Sequence, residues 1–137
     1  MSEQTNIQVV QTAFGYFGKG DVAGIISLLA ADVSWHVAPI KNVPYTGTRN
    51  GTTGVADFFA TLAESEDTLK FEPREFIAQG DKVVAIGQYG ARVKSTGREY
   101  ETYFAQVFTL RDGKLTSFVE YLDSATVADA FVKTQTA

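Results

Sequence analysis

The stretch Tyr100–Asp123, YETYFAQVFTLRDGKLTSFVEYLD, decides the fold. Two β-rich runs flank Asp112-Gly113, a dipeptide that favours a two-residue hairpin turn because both positions tolerate positive φ. Direct opposition across that turn pairs Arg111 with Lys114 and Leu110 with Leu115. Continued without interruption, it sets Val107 against Phe118, Ala105 against Glu120 and Tyr103 against Leu122 on one face. That face is apolar except for Tyr103 and the carboxylate of Glu120. The other face, with Phe104, Gln106, Phe108, Val119 and Tyr121, is not a solvent face either. Both sides of the hairpin therefore need cover. One is expected to hold the core and a pocket, and the other to meet a second subunit. A one-residue bulge would exchange the faces.

Outward from the hairpin, the 137 residues read as one domain, 1–137, large enough to bury about two-thirds of the unfolded surface. A net charge of −4 with no Lys/Arg block argues against nucleic acid as a partner. No apolar run approaches the roughly 18 residues of a membrane span, and the N-terminus MSEQTN lacks the basic and apolar regions of a signal peptide. The chain has no cysteine and one histidine, so disulfides and thiolates are excluded and no metal site is expected. These features point to the cytoplasm.

Ile7, Val10, Phe14 and Phe17 recur with helical spacing and predict a helix from about Glu3 to Phe17, closed by Gly18-Lys19-Gly20. Asp21 can cap a short second helix running to about Ala30. Val33–Val37 reads as a strand and Pro39–Gly51 as a loop. Thr52 or Thr53 can cap a third helix, with Val55, Phe58, Phe59 and Leu62 as its apolar stripe and its end near Glu64. Ser65–Thr68 reads as a polar loop. From Lys70 the chain is nearly all β: Phe71–Gln79, with Pro73 marking an edge or bulge, then Lys82–Lys94, with Gly87 and Gly90 marking close backbone approach, then the hairpin. Asp123 can cap a last helix to about Lys133. The order ααβαββββα, with helices and strands segregated, means an α+β fold.

Three segments carry a resemblance that covers Ile7 to Phe131. They are Gly20-Asp21-Val22 with Leu28–Val37 (LLAADVSWHV), Pro44–Gly51 (PYTGTRNG) with the Phe58-Phe59 helix, and Val107–Leu115 (VFTLRDGKL) with Glu120–Ala125 (EYLDSA). The chain resembles the NTF2-like superfamily, in the group of SnoaL-like polyketide cyclases and ketosteroid isomerases. The resemblance implies a cone, in which a strongly curved antiparallel β-sheet wraps the N-terminal helices and leaves a pocket at its open end. It implies cofactor-independent acid/base chemistry (isomerase, cyclase or hydratase) on a small apolar carbonyl or polyketide-like molecule. Steroid isomerase itself is not implied: Ala13, Val37 or Ala38, and Ala105 occupy the positions of that enzyme's tyrosine and two aspartates. Many SnoaL-like chains also carry His where this one has Gln106.

Within this frame the ligand-binding candidates are Phe17, Trp35, Phe58, Phe59, Leu62, Tyr103 and Phe118, an aromatic lining suited to a flat ligand. Glu120 is the catalytic candidate. A carboxyl on an apolar wall is pushed toward its neutral form and becomes a usable acid or base near neutrality. An ion pair with Arg74, Arg92 or Arg98, or a hydrogen bond to Tyr103, would instead make it structural. His36 is a weaker catalytic candidate, since strand alternation sends it to the face opposite Trp35. The alternatives to an enzyme are a non-catalytic small-molecule binder and a dimeric scaffold. In each, the partner expected besides a small apolar molecule is a second copy of the chain, joined through the outer sheet face.

Overall fold

Ser2 opens the first helix by accepting a hydrogen bond from the Thr5 amide, and α1 runs Glu3–Gly18. The structure, a computed structural model, describes residues 2–133. The chain reverses through Gly20, and the Asp21 carboxylate caps α2 (Val22–Ser27) through the Gly24 amide at 2.8 Å. Strand β1 (Leu29–Val37) follows, then β2 (Gly47–Asn50), α3 (Gly51–Ser65), β3 (Glu66–Gln79), β4 (Lys82–Val93), β5 (Glu99–Arg111), β6 (Lys114–Leu122) and α4 (Ser124–Ala130). The order expected from sequence holds, with β2 added inside the segment read as a loop. The second helix is shorter than expected because β1 begins at Leu29. No side chain caps α3: Asn50 stands at its N-cap without a side-chain bond to the helix. Ser65–Thr68 is not a loop, since β3 starts at Glu66.

The six strands form one sheet in the order β2-β1-β6-β5-β4-β3. All neighbours are antiparallel except β1 and β6, the first and last strands, which run parallel. Pro73 lies on the edge strand β3 beside a register shift, where a missing N–H is tolerated. Gly87 packs so closely under β3 and Phe104 that a Cβ would stand 2.8 Å from the Phe104 ring and from the Pro73 Cα. The core between sheet and helices centres on Val10, Val33, Val55, Val83, Phe104 and Phe108.

The hairpin turn is the one the sequence predicts, with Asp112 and Gly113 at φ +51° and +79°. Leu110 faces Leu115 and Arg111 faces Lys114. Beyond them the register departs from uninterrupted pairing. Thr109 faces Ser117, Phe108 faces Phe118, Gln106 faces Glu120 and Phe104 faces Leu122. Thr116 is the extra residue of a β-bulge, its hydroxyl turned onto the Thr109 carbonyl at 3.1 Å. The bulge lets Leu115 and Phe118, three residues apart, both enter the core, and it exchanges the two faces of β5. Phe104, Gln106 and Phe108 are buried. Tyr103, expected in the pocket, is 69% exposed on the outer face. The driving force is area: this register buries two phenylalanine rings where the other would bury a tyrosine and a valine.

Candidate functional site

A cavity of about 80 Å³ lies between α1, α3 and the concave face of the sheet. Its walls are aromatic. Trp35 from β1 stacks on Phe118 from β6 with ring centroids 4.0 Å apart, and meets Phe58 of α3 at 5.6 Å. Phe108 closes on Phe118 at 5.2 Å, and Phe14 of α1 meets Phe71 edge-on at 5.0 Å. The structure brings Phe17, Trp35, Phe58, Phe59, Leu62 and Phe118 together on this cavity, and leaves Tyr103 outside it. Phe17, Phe59, Leu62 and Phe71 also line an outer groove of about 590 Å³ together with Glu66, Asp67, Lys70 and Lys94.

Glu120 lines the cavity and is the carboxylate on this wall. None of the three arginines weighed as partners reaches it: Arg74 pairs with Glu72, Arg92 with Asp67 and Arg98 with Asp129. Its partner is Gln106, directly opposite on β5, whose Nε2 donates to Oε2 at 2.5 Å. Burial pushes the Glu120 carboxyl up to about 7, against the pull of the Gln106 amide and with a further push from the charge of Glu66. Gln106 donates one of its two amide N–H groups to Glu120, and its Oε1 is buried with no hydrogen-bond partner. The indole Nε1 of Trp35 is buried and unpartnered as well.

A second carboxyl stands at the other end of the site. Glu66, 3% exposed at the start of β3, accepts from the Tyr89 hydroxyl at 2.5 Å and from the Tyr100 hydroxyl at 2.9 Å to each oxygen. Tyr100 in turn meets the Tyr45 hydroxyl at 2.9 Å. Tyr45 and Tyr89 line the cavity; Tyr100 does not. Burial raises the Glu66 pKa, and the hydroxyls of Tyr89, Tyr100 and Tyr45 counter it. Desolvation and the carboxylate together drive all three phenols far above the ordinary tyrosine value. Sequence reading missed this cluster. Glu66 was expected in the Ser65–Thr68 loop, and Tyr45, Tyr89 and Tyr100 were not singled out for the site. No local pattern joins residues 45, 66, 89 and 100, which only the strand register brings together.

His36 is not part of the cavity lining; its Nδ1 pairs with Thr48 Oγ1 at 2.8 Å across the β1–β2 ladder. Among the described residues no three His, Asp or Glu side chains gather as a metal-ligand set, and no helix is long and apolar enough to cross a membrane.

A family model for the SnoaL-like domain matches residues 10–118, which spans α1 through the cavity wall at Phe118. The chain belongs to the SnoaL-like family. Solved structures carry the same assignment to the wider NTF2-like superfamily. An NTF2-like protein from Burkholderia xenovorans LB400 is 36% identical, with a TM-score of 0.87 over 96% of this chain and 99% of that one. TerC, co-crystallised with polyporic acid, is 27% identical, with a TM-score of 0.80 over 93% of this chain and 98% of its own. A Mesorhizobium loti protein, provisionally named a SnoaL-like polyketide cyclase, is 16% identical with a TM-score of 0.70 over 84% of this chain and 97% of its own, a likeness of fold alone. No curated protein matches the sequence. As a SnoaL-like chain it departs from the steroid-isomerase pattern at the cavity itself, where α1 contributes Ala13.

Proposed function

We propose that this SnoaL-like protein acts in the cytoplasm on a small, flat, largely apolar ligand of carbonyl or polyketide type, and moves a proton on it through Glu120 without a cofactor, as an isomerase, cyclase or hydratase. The observation that carries this reading is Glu120 itself, a carboxyl on an aromatic cavity wall with a pKa of about 7 and one neutral partner, Gln106. At that value both forms are populated near neutrality. The carboxylate can take a proton from a carbon beside a carbonyl, and the acid can return one to the product. Gln106 holds one carboxylate oxygen and leaves the other for the ligand. The similarity to TerC, crystallised with polyporic acid, supports a small organic ligand.

Native mass spectrometry of the purified protein identifies any co-purifying ligand by mass. Glu120→Gln should then keep the cavity's shape and bind that ligand with nearly the same affinity while abolishing its turnover. A second reading, a binder without catalysis, is favoured by Ala13, which leaves the α1 side of the cavity without a hydroxyl. It predicts no turnover by either form. In both readings the protein is a homodimer through the outer face of the sheet, where Tyr103 and Tyr121 are 69% and 53% exposed beside the partly covered Val107 and Val119.

A further inference from the structure

The cavity beside Glu120 is too small to enclose a ring-bearing ligand. Its volume is about 80 Å³. A void of about 150 Å³ holds one benzene, and ordinary ligand pockets measure about 300–1,000 Å³. The missing space lies next to it. The outer groove of about 590 Å³ shares five lining residues with the cavity: Phe17, Ile25, Phe59, Leu62 and Phe71. Within this common wall the Phe17 ring lies 5.1 Å from Phe71 and 6.2 Å from Phe59, centroid to centroid. Phe17, Phe59, Leu62 and Phe71 are half-buried, whereas Trp35, Phe58, Phe108 and Phe118 are buried. The wall is made of side chains from three elements, and rotation of a ring can join the two spaces.

The charged residues of the groove are already engaged. Glu66 holds the Tyr89 and Tyr100 hydroxyls. Asp67 pairs with Arg92 at 3.3 Å and with Lys94 at 3.7 Å, and Lys94 also donates to the Ala63 carbonyl at 2.7 Å. Lys70 pairs with Glu101 at 3.1 Å and with Glu72 at 3.4 Å. The surface left to a ligand is apolar, from Val22, Phe59, Leu62 and Leu69. Leu69 falls at the register shift between Thr68 and Lys70, without a partner in the β3–β4 ladder, and is 52% exposed.

We propose that the groove is the outer half of the ligand site. It holds a neutral, apolar ring or chain, while the reactive end of the same molecule passes between Phe17, Phe59 and Phe71 to Glu120. The ligand is then elongated, two rings or a ring with a tail. This inference rests on the cavity being the ligand site.

Calorimetric titration of the intact protein with acetophenone and 4-acetylbiphenyl tests it. The two ketones share the acetyl end and differ by the outer ring. 4-Acetylbiphenyl should bind about tenfold tighter or more, the scale of a second ring taken out of water. Leu69→Glu puts a charge in the groove and Ala63→Phe narrows it, and neither position lines the cavity. Each substitution should remove most of that advantage, with the affinity for acetophenone held. Equal binding of the two ketones, or an advantage unmoved by both substitutions, overturns the outer half while leaving the cavity a ligand site. Binding of neither ketone sinks both the inference and the proposed function.

Discussion

Gln106 and Glu120 stand directly opposite each other on β5 and β6, and the amide of one donates to the carboxylate of the other. The pairing exists only because Thr116 is bulged out of the ladder. Uninterrupted pairing would set Ala105 against Glu120 and turn the Gln106 amide away from the cavity. The bulge gives the site's carboxyl a neutral partner, one that stabilises the carboxylate without clamping it as an arginine would.

Glu120 should make stability fall as pH rises. Its folded pKa of about 7 lies above the ordinary carboxyl value of 4.5, so the folded state binds the extra proton between those values. The neutral acid is the form the fold favours, and the cost of ionising it is fully incurred above pH 7. Linkage puts the effect on the order of 3 kcal/mol. Urea denaturation at pH 5 and pH 8 should show it as a pH-dependent gap between wild type and Glu120→Gln, with the variant gaining ground at pH 8. A gap independent of pH would mean that the carboxyl titrates at its ordinary value.

The tyrosine cluster makes an opposite demand at Glu66. Hydroxyls of Tyr89 and Tyr100 serve its ionised form. Removing either raises the carboxyl pKa further and leaves a buried acceptor short. Tyr89→Phe and Tyr100→Phe should each cost about 1–3 kcal/mol, more at pH 8 than at pH 5. Their double variant should cost other than the sum, because both donors meet one carboxyl. Denaturation of the four proteins at both pH values checks this, and strict additivity with no pH trend would count against a shared carboxylate.

Gly87→Ala tests the pinch between β3 and β4. A Cβ there would press on the Glu72 carbonyl, which is backbone and cannot swing aside, and on the Phe104 ring. The expected loss is about 1–3 kcal/mol, typical of an overfilled core. Thermal unfolding should show a lower Tm, while Gly97→Ala, where a Cβ meets nothing, loses stability only through its left-handed φ of +75°.

Light scattering should give twice the 14.9 kDa of the chain if the outer face is the interface. Tyr103→Glu with Tyr121→Glu places like charges on that face and should return the monomer without unfolding it, since both side chains are more than half exposed. A wild-type mass near that of one chain at micromolar concentration would remove the dimer.

Helix positions, caps at Asp21 and Asp123, the Asp112-Gly113 turn and the aromatic character of the pocket were legible in the sequence because each depends on neighbours within a few residues. Trp35, Phe58, Phe59, Leu62 and Phe118 reach the cavity as their periodicities require. Tyr103 did not, and Phe104 and Phe108 went inward instead of outward. One unpaired residue, Thr116, separates the two outcomes, and strand alternation carries no memory of a bulge beyond it.

The sequence by itself determined the order of elements apart from the short strand β2, the family's cone and the presence of a carboxylate, Glu120, among aromatic groups. Only the tertiary structure decided which face of β5 meets that carboxylate, that Gln106 is its partner, and that Tyr45, Glu66, Tyr89 and Tyr100 converge. Local propensities act over a few residues. Register is chosen by which side chains the whole sheet buries, and hydrogen-bond chains between distant strands follow from that choice.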